Sequence, residues 1–164
     1  MPVLVLTPNV LLELEMALRI VLAFGLGAVL GWERDRAGRP AGLRTHMLVS
    51  AGSAAFTLVS IYGFAEGPPG IPRDPARVAA QIVAGVGFLG AGTIFRTPST
   101  VSGLTTAASI WLSAAIGMMV GVGMYTLAAV TAILGYVCLR WLRPPPLRSQ
   151  VGEPSMIAGH PDEV

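Results

Sequence analysis

The side chains in this 164-residue sequence that could do chemistry fall in four places. Glu15 and Arg19 stand four residues apart, so on a helix they share a face and neutralise each other. The segment from Glu33 to His46 is the densest polar stretch, with Arg34, Asp35, Arg36, Arg39, Arg44 and Thr45 between its ends. Asp74, Arg77 and Gln81 are spaced by three and four, which places them on one helical face. Asp74 followed by Pro75 also reads as a helix N-cap with proline at the first helical position, and that reading does not exclude a site. The fourth place is a pair of hydroxyl stripes. His46, Ser50, Ser53, Thr57 and Ser60 follow steps of four and three, and Ser102, Thr106, Ser109, Ser113 and Gly117 follow a similar pattern.

None of these arrangements is a catalytic constellation. The sequence has no phosphate-binding glycine loop followed by lysine, no HExxH and no GxSxG. Its one cysteine, Cys138, excludes a disulfide framework and a Cys-based zinc site, and His46 and His160 have no partner at ligand spacing. No carboxylate falls in the middle of an apolar run, whereas a dehydrated magnesium site needs several oxygen ligands, usually carboxylates. The expectation is a protein that is not an enzyme, with no cofactor and no metal centre.

The elements that position these residues are apolar helices. Hydrophobic residues make up 53% of the chain and charged residues 12%, about half the usual charge of a soluble domain. The mean hydropathy is +0.67. An ordinary water-soluble globule is excluded, and the formal net charge of +2 gives no reason to expect nucleic acid. Crossing about 30 Å of hydrocarbon takes about 20 helical residues. Five such runs are present: Leu11–Trp32, Thr45–Phe64, Arg77–Phe95, and two sharing Leu104–Leu142. The last stretch would be roughly 58 Å long as one helix, so it must fold back, and Gly121-Val122-Gly123 is the place to turn. The fold class expected is all-α: a polytopic membrane bundle of five transmembrane helices.

The basic residues are all arginine, and their placement sets an orientation. With five crossings, Arg34, Arg36, Arg39, Arg44, Arg96, Arg140, Arg143 and Arg148 share one side. Arg73 and Arg77 lie on the other, with Arg19 near the outer end of the first span. The arginine-rich side is expected to be cytoplasmic, leaving the N-terminus outside and the C-terminus inside. The first span has no basic residue ahead of it and reads as retained rather than cleaved. Residues 1–143 read as the transmembrane domain, and 144–164, opening on three prolines, as a disordered cytoplasmic tail.

Small residues are concentrated in the spans. Gly27 and Gly31 have GxxxG spacing, and Gly85, Gly87, Gly90, Ala91 and Gly92 fall within eight residues. In lipid such residues permit close backbone approach. They can also permit a helix break that lines a cavity. The hydroxyl stripes carry the same two readings, helix packing or a polar path between the second and fourth spans. The Glu33–His46 loop is either a solvated positive loop or a contact surface for a protein partner or anionic lipid.

Four segments resemble the MgtC/SapB family of bacterial inner-membrane proteins. They are Gly31-Trp32-Glu33-Arg34, Ala41 to His46, Asp74 to Gly92, and Gly103 to Trp111. The resemblance covers roughly residues 15–142 and is that of the short, membrane-only form, without the ACT-like C-terminal domain of some members. It implies a role in ion or energy homeostasis, linked in the family to magnesium limitation and to virulence. It also implies action through protein contacts in the membrane, including for some members the F-type ATP synthase; a homodimer or other homo-oligomer is a separate expectation. By matched position, Glu33, Arg44, Thr45 and His46 would be an inner polar cluster and Asp74, Arg77 and Gln81 an outer one. Gly85, Gly87, Gly90, Gly92, Thr105 and Thr106 would be a central packing or pathway element. The rival function is transport of a small solute or of Mg2+. A transporter should have a water-accessible cavity beside Ser53, Thr57 and Gly87; a binding protein should have those faces packed dry.

Overall fold

The computed structural model describes residues 8–63, 74 and 76–142. Within them the chain forms α1 (Pro8–Arg36), α2 (Leu43–Leu58, continued by a π-helical turn over Val59–Gly63), α3 (Ala76–Ala91), α4 (Leu104–Gly121) and α5 (Tyr125–Trp141). A short hairpin, β1 (Phe95–Arg96) and β2 (Val101–Ser102), joins α3 to α4. The architecture is an all-α membrane bundle. The segments Val10–Arg36, Leu43–Gly63 and Leu104–Gly121 are long and apolar enough to cross a bilayer, and α3 and α5 are shorter apolar helices.

Contacts fix the directions of the helices. Gly31 of α1 lies against Leu43, and Gly27 against His46 and Ser50, so α1 and α2 run antiparallel. His46 meets Ser109, Ser50 meets Gly117 and Thr57 meets Gly121, so α2 and α4 run parallel. Leu30 reaches Gly135 and Arg34 reaches Leu139, so α1 and α5 are parallel too. The main core joins Ala23 and Leu30 of α1, Ala54 of α2, Ile116 and Val120 of α4, and Ala128 and Ala132 of α5. A second cluster holds α3 on α4 through Ile82, Val86, Ile110 and Ala114, with Ala41 from the α1–α2 connection. Apolar side chains such as Leu48, Phe88, Trp111 and Leu134 point outward, as expected where the surroundings are lipid.

The chain folds back between α4 and α5 where the sequence places the turn. Gly123 takes φ +90°, a conformation that side chains disfavour. The third span differs from expectation at its end. The helix stops at Ala91 rather than running to Phe95, and the hairpin follows. Thr97 and Thr100 close its loop, Thr97 N–H donating to the Thr100 carbonyl (2.9 Å) and Thr100 N–H to Thr97 Oγ1 (3.1 Å). Gly103 then turns the chain into α4 at φ +89°, so close to Thr93 that an added Cβ would lie 1.8 Å from the Thr93 carbonyl oxygen. The tail from 144 onward lies outside the described residues.

Candidate functional site

The polar face of α2 is buried from end to end. His46, Ser50, Ser53, Thr57 and Ser60 are all at most 6% exposed, and Thr106, Ser109 and Ser113 of α4 at most 4%. Glycines on the neighbouring helices close this seam. An added Cβ at Gly117 would sit 2.0 Å from the Ser50 carbonyl oxygen, and one at Gly27 2.6 Å from that of His46. At Gly121 it would meet Thr57 Cβ at 2.8 Å. Backbones this close gain dispersion contacts that longer side chains would hold apart.

Most of the hydroxyls spend their hydrogens on backbone carbonyls, which is how a polar group tolerates a site without water. Ser50 donates to the Ala23 carbonyl across the α1–α2 contact at 2.7 Å. Thr57 donates to Ser53 (2.7 Å) and Ser113 to Ser109 (3.1 Å) within their own helices. His46 Nδ1 lies 2.8 Å from the Gly42 carbonyl; a carbonyl only accepts, so Nδ1 carries the proton there. The Ser109 hydroxyl lies 3.0 Å from His46 Nε2 and 2.8 Å from the Thr106 carbonyl, and its one hydrogen serves one of the two.

Two arginines of α1 tie the ends of the bundle. Arg19 keeps its pair with Glu15 and also donates from an Nη to the Gly121 carbonyl (2.9 Å), the last residue of α4. Arg34, 4% exposed, pairs with Glu33, 7% exposed, its Nε donating to Glu33 Oε2 (2.6 Å) while an Nη reaches the Leu139 carbonyl near the end of α5 (3.3 Å). Each guanidinium thus meets carbonyls at a helix C-terminus, where acceptors lack intrahelical partners and the helix dipole favours positive charge. Sequence reasoning found the Glu15–Arg19 pair but gave Arg34 no role beyond the loop.

The inner cluster divides. Glu33 belongs to the Arg34 pair, His46 turns into the seam, Thr45 is half-buried and Arg44 is exposed. At the other end Asp74 is a helix cap, its Oδ1 accepting from Ala76 N–H at 2.9 Å, while Arg77 and Gln81 are exposed on α3. Within the glycine-rich element, Gly90 packs 3.5 Å from Ala107 measured from an added Cβ, but Gly85 and Gly87 face open space. Thr106 is buried and Thr105 exposed. Among the described residues, no three His, Cys, Asp or Glu side chains are grouped to hold a metal ion.

Beside the seam lies a partly open cleft of about 500 Å3 between α2 and α3. Its walls are mostly apolar, with Gly52, Ser53 and Phe56 on one side and Gln81, Gly85 and Leu89 on the other. Ser53 is the one residue of the α2 stripe that lines it; Thr57 and Gly87 do not.

The MgtC family model matches residues 20–145. A protein named "Putative magnesium transporter YhiD" from Escherichia coli K12 is 46% identical over 127 residues, 76% of this chain and 59% of the relative. "Protein MgtC" of Brucella abortus is 45% identical over 122 residues, 74% of this chain and 49% of the relative. "Protein SrpB" of Synechococcus elongatus is 44% identical over 125 residues, covering 71% of this chain and 69% of that one. The chain thus spans about half to two thirds of the length of these relatives. No solved structure matches it. The matched stretch contains the seam, the Arg34 tie and the α2–α3 cleft, and on this agreement the chain belongs to the MgtC family.

Proposed function

We propose that this chain is a bacterial inner-membrane protein of magnesium-related homeostasis that acts by contacting other proteins in the membrane, and that it neither catalyses a reaction nor passes a solute. The observation that carries the reading is the dry seam. Ser50, Thr57 and Ser113 turn their hydroxyls onto carbonyls, and Gly27, Gly117 and Gly121 close over them; Ser53 alone of the α2 stripe borders the α2–α3 cleft. What remains available is outward-facing: Arg44 at one end, and Gly87, exposed on α3 and outside the cleft lining. Small residues on a lipid-facing helix suit close approach by another helix. The arginine bias supports an orientation with the Arg34 end in the cytoplasm. The family resemblance offers the F-type ATP synthase, or a second copy, as the partner to test first.

The rival is solute transport, in keeping with the word "transporter" in the name of the YhiD relative. Purified protein in liposomes loaded with a Mg2+-sensitive dye separates the two. The proposed function predicts influx equal to that of empty liposomes. It also predicts that ATP-driven proton pumping by membrane vesicles changes when the chain is present, and that Arg44→Ala or Gly87→Leu, with folding intact, abolishes the change. Saturable Mg2+ influx would overturn the reading.

A further inference from the structure

The α2–α3 cleft holds hydrogen-bonding groups that the fold itself does not use. Ser53 is only 3% exposed and lines the cleft, yet its hydroxyl makes no hydrogen bond among the described residues. Gln81, on the opposite wall, carries an amide with no partner among them either. One turn toward the start of α3, in the same row as Gln81, Gly85 and Leu89, stands Arg77, exposed and without an ion pair among the described residues. Its acidic neighbour Asp74 has one carboxylate oxygen bonded to Ala76 N–H. A cation and an amide on α3 therefore stand with a buried hydroxyl of α2 at an apolar channel.

We propose that this cleft binds one glycerophospholipid, its phosphate on Arg77, an acyl-ester carbonyl accepting hydrogen bonds from Gln81 and Ser53, and one acyl chain lying along the cleft to Leu89. Polar chemistry favours this occupant over a partner helix: a helix's backbone groups are already bonded within it, whereas a lipid brings a phosphate for Arg77 and an ester carbonyl for Gln81 and Ser53. A cavity of about 500 Å3, apolar with a few polar groups, is in the small-ligand range. The run from Gln81 to Leu89 rises about 12 Å, close to the depth of one leaflet of a roughly 30 Å hydrocarbon core. Gly52 and Gly85 keep the channel open, since an added Cβ at either meets nothing within 4 Å. The site stands independently of the proposed function.

The test is native mass spectrometry of the detergent-purified chain titrated with phosphatidylglycerol. The wild type should take up one lipid well before any second. Gly85→Leu and Gly52→Leu, which put a side chain into the channel, should lower that first adduct at least tenfold. Arg77→Gln should lower it about fivefold while leaving diacylglycerol uptake unchanged, and inorganic phosphate should not compete. Leu127→Trp, on the exposed face of α5, should change nothing. Circular dichroism and a single elution peak confirm folding of each variant. Equal first-adduct formation in both filled variants, or only a graded ladder of adducts in the wild type, would overturn the proposal. So would efficient disulfide dimerisation of Gln81→Cys in a Cys138→Ser background, which would put a second copy in the cleft.

Discussion

Single residues decide whether the seam closes. The distances separate glycines that composition cannot tell apart. At Gly117 an added methyl group would overlap the Ser50 carbonyl, so Gly117→Ala should cost about 3 kcal/mol or more through overpacking. At Gly87 nothing is in the way, so Gly87→Ala should gain about 0.5–1 kcal/mol by relieving the entropic cost of glycine in a helix. Unfolding in mixed micelles should rank the two variants on opposite sides of the wild type. The Arg34–Glu33 pair supplies a second case. A buried charge left alone costs about 3–5 kcal/mol, so Glu33→Ala should destabilise by that order, and Arg34→Ala with Glu33→Ala together by less than their sum. A double-mutant cycle on the same unfolding assay checks it. The sequence did not flag this pair, because adjacent helical residues do not face each other in the regular way that residues four apart do. The Arg19–Gly121 contact was equally hidden, since it joins positions 102 residues apart in the chain.

Among the elements, α1, α2, α4 and α5 share one core, while α3 is held on by Ile82 and Val86 against Ile110 and Ala114. Removing those anchors should loosen α3 selectively. Ile82→Ala should raise amide hydrogen exchange across Ala76–Ala91 several-fold and leave α4 unchanged, since local opening follows the number of buried apolar contacts. Five apolar runs, the fold-back at Gly121–Gly123 and the Asp74 cap were legible because each is written in local chemistry: length, a turn-forming pair, a capping side chain. The periodicity of the α2 stripe was legible too, since steps of three and four define a face. What faces it was not. Periodicity names a face, and only tertiary contacts show that Gly117 and Gly121, rather than Gly85 and Gly87, lie across from it. The β1–β2 hairpin escaped notice because strands of two residues have no alternation to read, although Thr97-Pro98-Ser99-Thr100 is a turn-forming cluster.

For the whole molecule, successive helices reverse direction, and α1, α2, α4 and α5 share an apolar core beside a polar α2–α4 seam closed by backbone proximity, with the bundle tied at its two ends by Arg19 and Arg34. An odd number of crossings would leave the two termini on opposite faces. Reporter fusions should therefore be active on the cytoplasmic side at the C-terminus and inactive there at the N-terminus; equal activity at both ends would contradict five crossings. The proposal that the seam passes no solute is open to direct measurement. In a Cys138→Ser background, Ser50→Cys, Thr57→Cys and Ser113→Cys place thiols along the seam, and Thr97→Cys places one on the exposed hairpin. With a water-soluble thiol reagent on native membranes permeabilised so that both faces are reached, the three seam thiols should stay unmodified while the hairpin thiol reacts to completion. Labelling of the seam thiols at a rate approaching that of the hairpin would mean that water runs through the bundle, and would contradict the account.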